Sequence, residues 1–309
     1  MAERVLVTGA LGCLGAWVAQ ALLDDGVAVV GYDLGDDRSR LELVLGERSR
    51  EVEVVRGDVT DLDAVGRALD EHEATRVIHL AALQVPFVRA SPTLGMRVNV
   101  TGTVAVFEAV AQRLDRIPGV AFASSAAVYN AGDPSPAPEA GGTAPATLYG
   151  VSKLADEGMA RVYRADHGVG SVGLRPYVVY GPARDQGMTA GPSLAIAAAV
   201  RGEPFVIGFS GTAQYDYAPD VGRAFALAAH AAVGRADVYN FPGEVAAIEE
   251  VVAAIEEGVP GAQVSWSGEP LPFPPALEAV GFERDIGPLP RTGLAAGVAA
   301  TAAHLRAAS

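Results

Sequence analysis

Short, nearly continuous apolar runs alternate with longer amphipathic stretches through the first part of the chain. RVLVTG (4–9), VAVVGYD (27–33), VEVVRG (52–57), RVIHLAA (76–82), GVAFASS (119–125) and SVGLRPYVV (171–179) read as strands. Apolar runs without strict alternation suit parallel strands covered on both faces. Helices are expected between them at about 13–24, 61–72, 99–115 and 147–166, with Asp61 and Asn99 as N-caps. The repeating order predicts an α/β fold with a doubly wound parallel sheet and right-handed crossovers.

The rhythm loosens after about residue 180. GPARDQGMTAGPS (181–193) reads as a long loop, followed by a helix at about 193–201, a strand at 204–207 and a helix at 219–233. GEPLPFPPA (268–276) reads as an irregular connector, and PRTGLAAGVAATAAHLR (290–306) as a closing helix. The expected division is therefore 1–180 for the main sheet and 181–309 for a smaller lobe, with strands free to interleave. That lobe is expected to lack an independent core and to pack on the carboxyl edge of the sheet.

Composition narrows the function. Half of the 309 residues are hydrophobic and 19% are charged, which supports a sizeable core. The formal net charge of −14 argues against a nucleic-acid partner, because phosphate contacts need clustered Lys and Arg. No apolar run reaches the length of a membrane span, and the start has no signal-peptide pattern. The single Cys13 fits a reducing, cytoplasmic setting. His72, His79, His167, His230 and His304 are scattered, so no metal site is expected.

In VLVTGALGCLGAW (5–17), Gly9, Gly12 and Gly15 follow a strand and open a helix. Glycine permits the tight turn and lets a bare backbone approach a ligand. The helix N-terminus presents free N–H groups to a pyrophosphate. Asp33 ends the second strand, where an acid binds adenosine ribose hydroxyls and repels a 2′-phosphate. That favours NAD over NADP, although Arg38 and Arg40 stand near enough to receive such a phosphate. In GDVTD (57–61), Asp58 is placed to meet the adenine edge.

TLYGVSKLADEG (147–158) puts Tyr149 and Lys153 one helical turn apart, on one face. With the glycine loop, GDVTD, HLAA (79–82), VNVTGT (98–103), SSAAVY (124–129), YGVSK (149–153) and LRPYVVYGP (174–182), the chain resembles the extended short-chain dehydrogenases/reductases. That family includes NAD-dependent epimerases and dehydratases. The resemblance implies a Rossmann domain and NAD as cofactor. It makes Tyr149 the catalytic acid/base, Lys153 its activator and Ser125 the hydroxyl that holds the substrate oxygen, with Ser124 beside the cofactor. The implied cofactor surface adds Cys13, Leu14, Leu34, Val59, Leu80, Ala81, Ala82, Asn99, Pro176 and Tyr177 to the glycines, Asp33 and Asp58. A phenol titrates near 10, and bringing it near 7 needs roughly 4 kcal/mol. An ammonium about 4 Å away contributes on that order at an effective dielectric near 20.

Three departures from the family pattern bear on the reaction. Dehydratases carry Asp-Glu after the catalytic hydroxyl, where this chain has Ala126 and Ala127, so water elimination is not expected. Nucleotide-sugar epimerases usually carry an Asn where Val178 stands and a diphosphate-gripping Arg where Ala213 stands, and no Arg follows before Arg223. A buried diphosphate without charged partners is costly. A smaller sugar-like or hydroxy-acid substrate is expected instead. Gln84, Phe87, Arg89, Ser125, Ala126, Tyr177, Arg184 and Gln186 are its candidate contacts, and Arg184 suits a carboxylate. The expected function is net hydride transfer to or from a secondary alcohol or ketone. The alternatives are epimerisation by transient oxidation and, disfavoured by the intact Tyr–Lys pair, NAD sensing without turnover. The resemblance also implies a homodimer through the helices at about 99–115 and 147–166.

Overall fold

The structure is a computed structural model describing residues 3–140 and 144–308. Its elements run β1 (Arg4–Thr8), α1 (Cys13–Asp24), β2 (Ala28–Asp33), α2 (Ser39–Leu45), β3 (Glu53–Arg56), α3 (Leu62–Glu71), β4 (Arg76–His79), α4 (Val85–Ala90), α5 (Pro92–Met96), α6 (Gly102–Ala111) and β5 (Gly119–Ala123). There follow α7 (Leu148–His167), β6 (Gly170–Arg175), β7 (Val178–Tyr180), α8 (Gly191–Val200), β8 (Phe205–Ile207), β9 (Thr212–Tyr217), α9 (Ala218–Ala231) and β10 (Ala236–Asn240). The chain closes with β11 (Glu244–Ala247), α10 (Ile248–Gly258), β12 (Val264–Trp266), α11 (Gly281–Asp285) and α12 (Leu294–Ala308).

Seven strands form the main sheet in the order β3-β2-β1-β4-β5-β6-β10, every pair parallel. The order reverses between β1 and β4, which opens a crevice at their carboxyl ends. Successive residues of β1 enter opposite cores: Val5 and Val7 join the cluster with α1 and α9, Leu6 the cluster with α3 and α6. Both faces are therefore covered, as the unalternating apolar runs predict. Gly222 of α9 allows close packing on α1, since a Cβ there would come within 2.7 Å of the Trp17 backbone. Asp61 caps α3 by accepting from the Ala64 N–H at 3.0 Å.

Two expectations are corrected. The run 171–179 is not one strand. Pro176 has no N–H for the ladder, and the Tyr177 N–H turns to the Asp216 carboxylate, so β6 ends in the main sheet and β7 departs to a second sheet, β11-β9-β7. Asn99 does not cap a helix. It lies inside a widened turn at Arg97–Thr101, between α5 and α6, wholly buried. The core of the lobe is shared across the expected division. Tyr180, Ile196, Ile207, Tyr215, Ile248, Ile255 and Val298 cluster with Val128 and Tyr129, contributed from before residue 180. The chain also crosses the expected division in the other direction, because α9 and β10 return to the main sheet. No helix among the described residues is long and apolar enough to cross a membrane.

Candidate active site

A cavity of about 590 Å³ runs along the carboxyl ends of β1, β2, β4, β5 and β6, under the loop at 181–189. At one end Gly9 takes φ +70°, and a Cβ there would meet the Ala81 nitrogen at 2.8 Å. Gly12 precedes α1, and no side chain caps the free N–H groups of that helix. Gly15 sits so close to the turn that a Cβ would lie 2.3 Å from the Gly9 carbonyl oxygen. Backbone cannot move aside cheaply there, so Gly15→Ala should weaken NAD binding at least tenfold, by calorimetry.

The Asp33 carboxylate accepts from the Leu11 and Gly35 N–H groups at 3.0 and 3.1 Å, which fixes it between the glycine turn and the end of β2. Arg38 is turned away, donating to the Ser49 and Val52 carbonyls. Arg40 lines the cavity but is paired with Asp185 at 2.9 Å. Both arginines thus have partners, and the donor and acceptor set fits an unphosphorylated ribose. The cradle therefore suits NAD. Cys13 contributes backbone: burial pushes its thiol up to about 12, and its sulfur faces the Pro182 carbonyl. Leu14, Leu34, Asp58, Val59, Leu80, Ala81, Ala82, Pro176 and Tyr177 also line the cavity. Asp58 holds Thr60 through its N–H and hydroxyl, both at 2.9 Å.

Asn99 does not reach the cavity. Its amide bonds both backbone groups of Leu83, at 2.7 and 3.0 Å, and the Ser152 hydroxyl at 3.1 Å. Ser152 in turn donates to the Tyr149 carbonyl at 2.7 Å. Asn99 thus ties the loop after β4 to the helix that carries Tyr149. Its expected cofactor contact is corrected to this bracing role, because its polar atoms are committed.

Tyr149 and Lys153 stand on α7, whose first turn is capped by Thr147 through the Gly150 N–H at 3.0 Å. Only glycine fits at 150, where a Cβ would lie 2.0 Å from the Ala127 carbonyl oxygen. That close approach sets Tyr149 beside the turn holding Ser125 and Ala126, and all three line the cavity with Lys153. Ser124 and Ser125 divide their duties. The Ser124 hydroxyl donates to buried Glu157, whereas among the described residues the Ser125 oxygen only accepts from the Ala127 N–H at 3.2 Å, which leaves its proton for a ligand. The Lys153 ammonium lies 6.0 Å from the Tyr149 ring centroid. Lys153 is 2% exposed and donates to Asp156 at 3.1 Å.

At the other end lie Gln84, Phe87, Tyr177, Arg184 and Gln186. Arg184 reaches Gln84 and Thr189 at 3.4 and 3.3 Å, and its buried Nε has no hydrogen-bond partner. Arg89 does not line the cavity and is exposed. Ala213 and Val178 are buried and do not line it, Gln214 bonds the Phe241 carbonyl, and Arg223 pairs with Asp25. Arg97, Met188, Thr189 and Phe273 line the cavity without having been anticipated. Phe273 packs edge-on against Tyr177, at 5.8 Å between centroids, from the irregular connector. A position that distant in sequence leaves no local signal.

Comparison with known proteins agrees with this geometry. The sequence profile described as NAD dependent epimerase/dehydratase family matches residues 5–241. The chain is 33% identical to the UDP-glucose 4-epimerase of Mycolicibacterium smegmatis, over 98% of both chains. It is 35% identical to UDP-glucuronate 4-epimerase 1 of Arabidopsis thaliana over 187 residues, 58% of this chain and 43% of that protein. It therefore spans less than half the length of such plant relatives. The fold matches the Thermus thermophilus UDP-glucose 4-epimerase complex with NAD at a TM-score of 0.85 and 28% identity, covering 99% of this chain and 100% of the other. A partial consensus L-threonine 3-dehydrogenase matches at a TM-score of 0.86 and 26% identity, with the same coverage. The glycine turn, Asp33 at the end of β2 and the Tyr–Lys helix along one crevice, together with these matches, place the chain in the NAD-dependent epimerase/dehydratase family of extended short-chain dehydrogenases/reductases.

Proposed function

We propose that the protein is an NAD-dependent oxidoreductase acting on a secondary alcohol or ketone that also bears a carboxylate. One observation carries the reading: Tyr149, Lys153 and Ser125 face the same cavity as the glycine turn, and Arg184 faces its far end with no acidic partner among the described residues. When bound, the nicotinamide is the hydride acceptor. Ser125 donates to the substrate oxygen and orients it. Tyr149 removes the hydroxyl proton as the carbon is oxidised, and returns it in the reverse direction. Lys153 favours the phenolate and has donors for the ribose. Ala126 and Ala127 have no protons to move, which is why dehydration is not part of the reading.

Arg184 supplies the specificity. Among the described residues the cavity is lined by the cations Arg40, Arg97, Lys153 and Arg184; Arg40 is paired and Arg97 is exposed. A carboxylate on Arg184 gains a charge-assisted, forked hydrogen bond. Arg184→Gln is expected to raise KM for the carboxylate substrate about 10–100-fold with kcat nearly unchanged, the equivalent of one such bond.

A second reading, epimerisation, is favoured by the full-length similarity to the M. smegmatis UDP-glucose 4-epimerase. It competes with the lack of a cation from residues 212–221 at the cavity. The test incubates pure protein and NAD⁺ with UDP-glucose, L-threonine, sugar acids and simple sugars. Accumulating NADH with a carboxylate-bearing alcohol supports the first reading. Inversion of UDP-glucose without net NADH overturns it in favour of the second. The assembly is read as a homodimer through the outer faces of α6 and α7, where Val104, Val151 and Val162 are exposed.

A further inference from the structure

The stretch that supplies Tyr149 and Lys153 continues into Ala155, Asp156 and Glu157, and the reaction above has no use for the two acids. Both are buried, at 1% and 3% exposure. Glu157 is fully occupied: Arg175 grips it with two bonds of 2.7 Å and Ser124 donates to it. Asp156 differs. Its carboxylate lies 3.1 Å from the Lys153 ammonium, on the same helix and shielded from water.

We propose that Asp156 is a positioning residue that sets the basicity of Tyr149 through Lys153: it holds the ammonium from behind and opposes the charge that Lys153 presents to the phenol. The inference rests on the acid/base reading of Tyr149. Its argument is electrostatic and local. An ammonium alone in a dry site acts on the phenol with its full charge. An ammonium closely paired with a carboxylate acts mainly as a dipole, whose effect falls off faster with distance.

The neighbouring charges do not undo this. His79 of β4 bonds Thr8 and Thr103, and burial, reinforced by Lys153, pushes its imidazole down to about 3, so it stays neutral. Thr103, packed from α6, is uncharged. Glu157 of α7 is neutralised by Arg175 of β6. The Asp156 carboxyl is pushed up to about 6 by burial, with Lys153 pulling the other way, so it carries its charge at neutral and alkaline pH. Its carboxylate is therefore the anion among these groups whose ion-pair partner is Lys153 itself.

The test follows Tyr149 by phenolate absorbance in the full chain, taking the difference from Tyr149→Phe to remove the other tyrosines. Asp156→Asn keeps the shape and removes the charge. The phenolate of Tyr149 should appear about one pH unit lower in Asp156→Asn than in the parent, as expected for one charge removed at roughly 9 Å and an effective dielectric near 20. Asp156→Glu, which keeps the charge, should titrate like the parent. With a substrate in hand, the acid limb of kcat/KM should move down by the same amount in Asp156→Asn. If the Asn variant does not fold, Asp156→Ser carries the same expectation. An unchanged or higher titration in a folded neutral variant would show that Asp156 merely props Lys153, and would overturn the proposal. So would a downward shift of equal size in Asp156→Glu. Turnover surviving in Tyr149→Phe would instead sink the acid/base reading while leaving this titration interpretable.

Discussion

Replacing Tyr149 by Phe should lower kcat about 10²–10⁴-fold while the protein stays folded and still binds NAD. That range is what a positioned acid/base contributes in general. The substitution deletes one oxygen at the cavity wall and keeps the ring, so it opens no void in the core. No side chain that holds the active-site loop is hydrogen-bonded to that oxygen: Ser152 uses the Tyr149 carbonyl, and Lys153 donates to Asp156. Circular dichroism and calorimetric NAD titration would check fold and binding, and a single-turnover assay the rate. Retention of more than a tenth of the rate would mean that another group moves the proton. Ser125 would be the next to test, since its hydroxyl proton has no acceptor among the described residues.

The largest effect on stability is expected at Arg175. It is 5% exposed and grips Glu157 with two parallel bonds. It also donates to the Tyr129 hydroxyl at 2.6 Å and the Glu139 carbonyl at 3.0 Å, with its guanidinium 5.2 Å from the Tyr129 ring centroid. Tyr129 passes the network on to Asn240 of β10 at 3.0 Å. Arg175→Ala leaves Glu157 buried and unpaired, and should cost about 3–5 kcal/mol in denaturant unfolding. Arg175→Lys keeps a charge without the fork and should lose less. The combination Arg175→Met with Glu157→Leu should recover most of the loss, because the penalty lies in the orphaned charge rather than in the absent pair. A loss below about 1 kcal/mol for Arg175→Ala would mean that water reaches Glu157 readily. The network also clamps both ends of the segment 124–129, so the Ala variant should lower activity as well, through misplacement of Ser125.

These two experiments probe parts of the molecule that differ in how visible they are from the amino-acid order. The reactive pair is local. Four residues on one helix face put Tyr149 and Lys153 together whatever else the chain does, and the glycine turn reads directly from a strand followed by Gly9, Gly12 and Gly15. Asp61 as a cap was equally legible, because its partner lies three residues away. The failures share a cause. Asn99 has the composition of a cap, yet its amide is used by Leu83 and Ser152, which reach it only after the loop following β4 and helix α7 have been brought together. The run at 171–179 looked continuous because Pro176 interrupts it without changing its apolarity. Only Asp216, 40 residues beyond the proline, supplies the acceptor that pulls the next residue out of line.

What the sequence by itself determined is the alternation of strands β1 to β6 with helices α1, α3, α6 and α7, the glycine turn, the acid at the end of β2 and the spacing of the phenol and ammonium. These depend on contacts within one turn or one βα unit, where periodicity and residue type carry the information. The tertiary structure alone decided that Ser124 serves Glu157 and leaves Ser125 free, and that Arg40 has an acidic partner while Arg184 has none among the described residues. Desolvation and pairing of charges decide those outcomes, and both depend on which distant segments exclude water from a site.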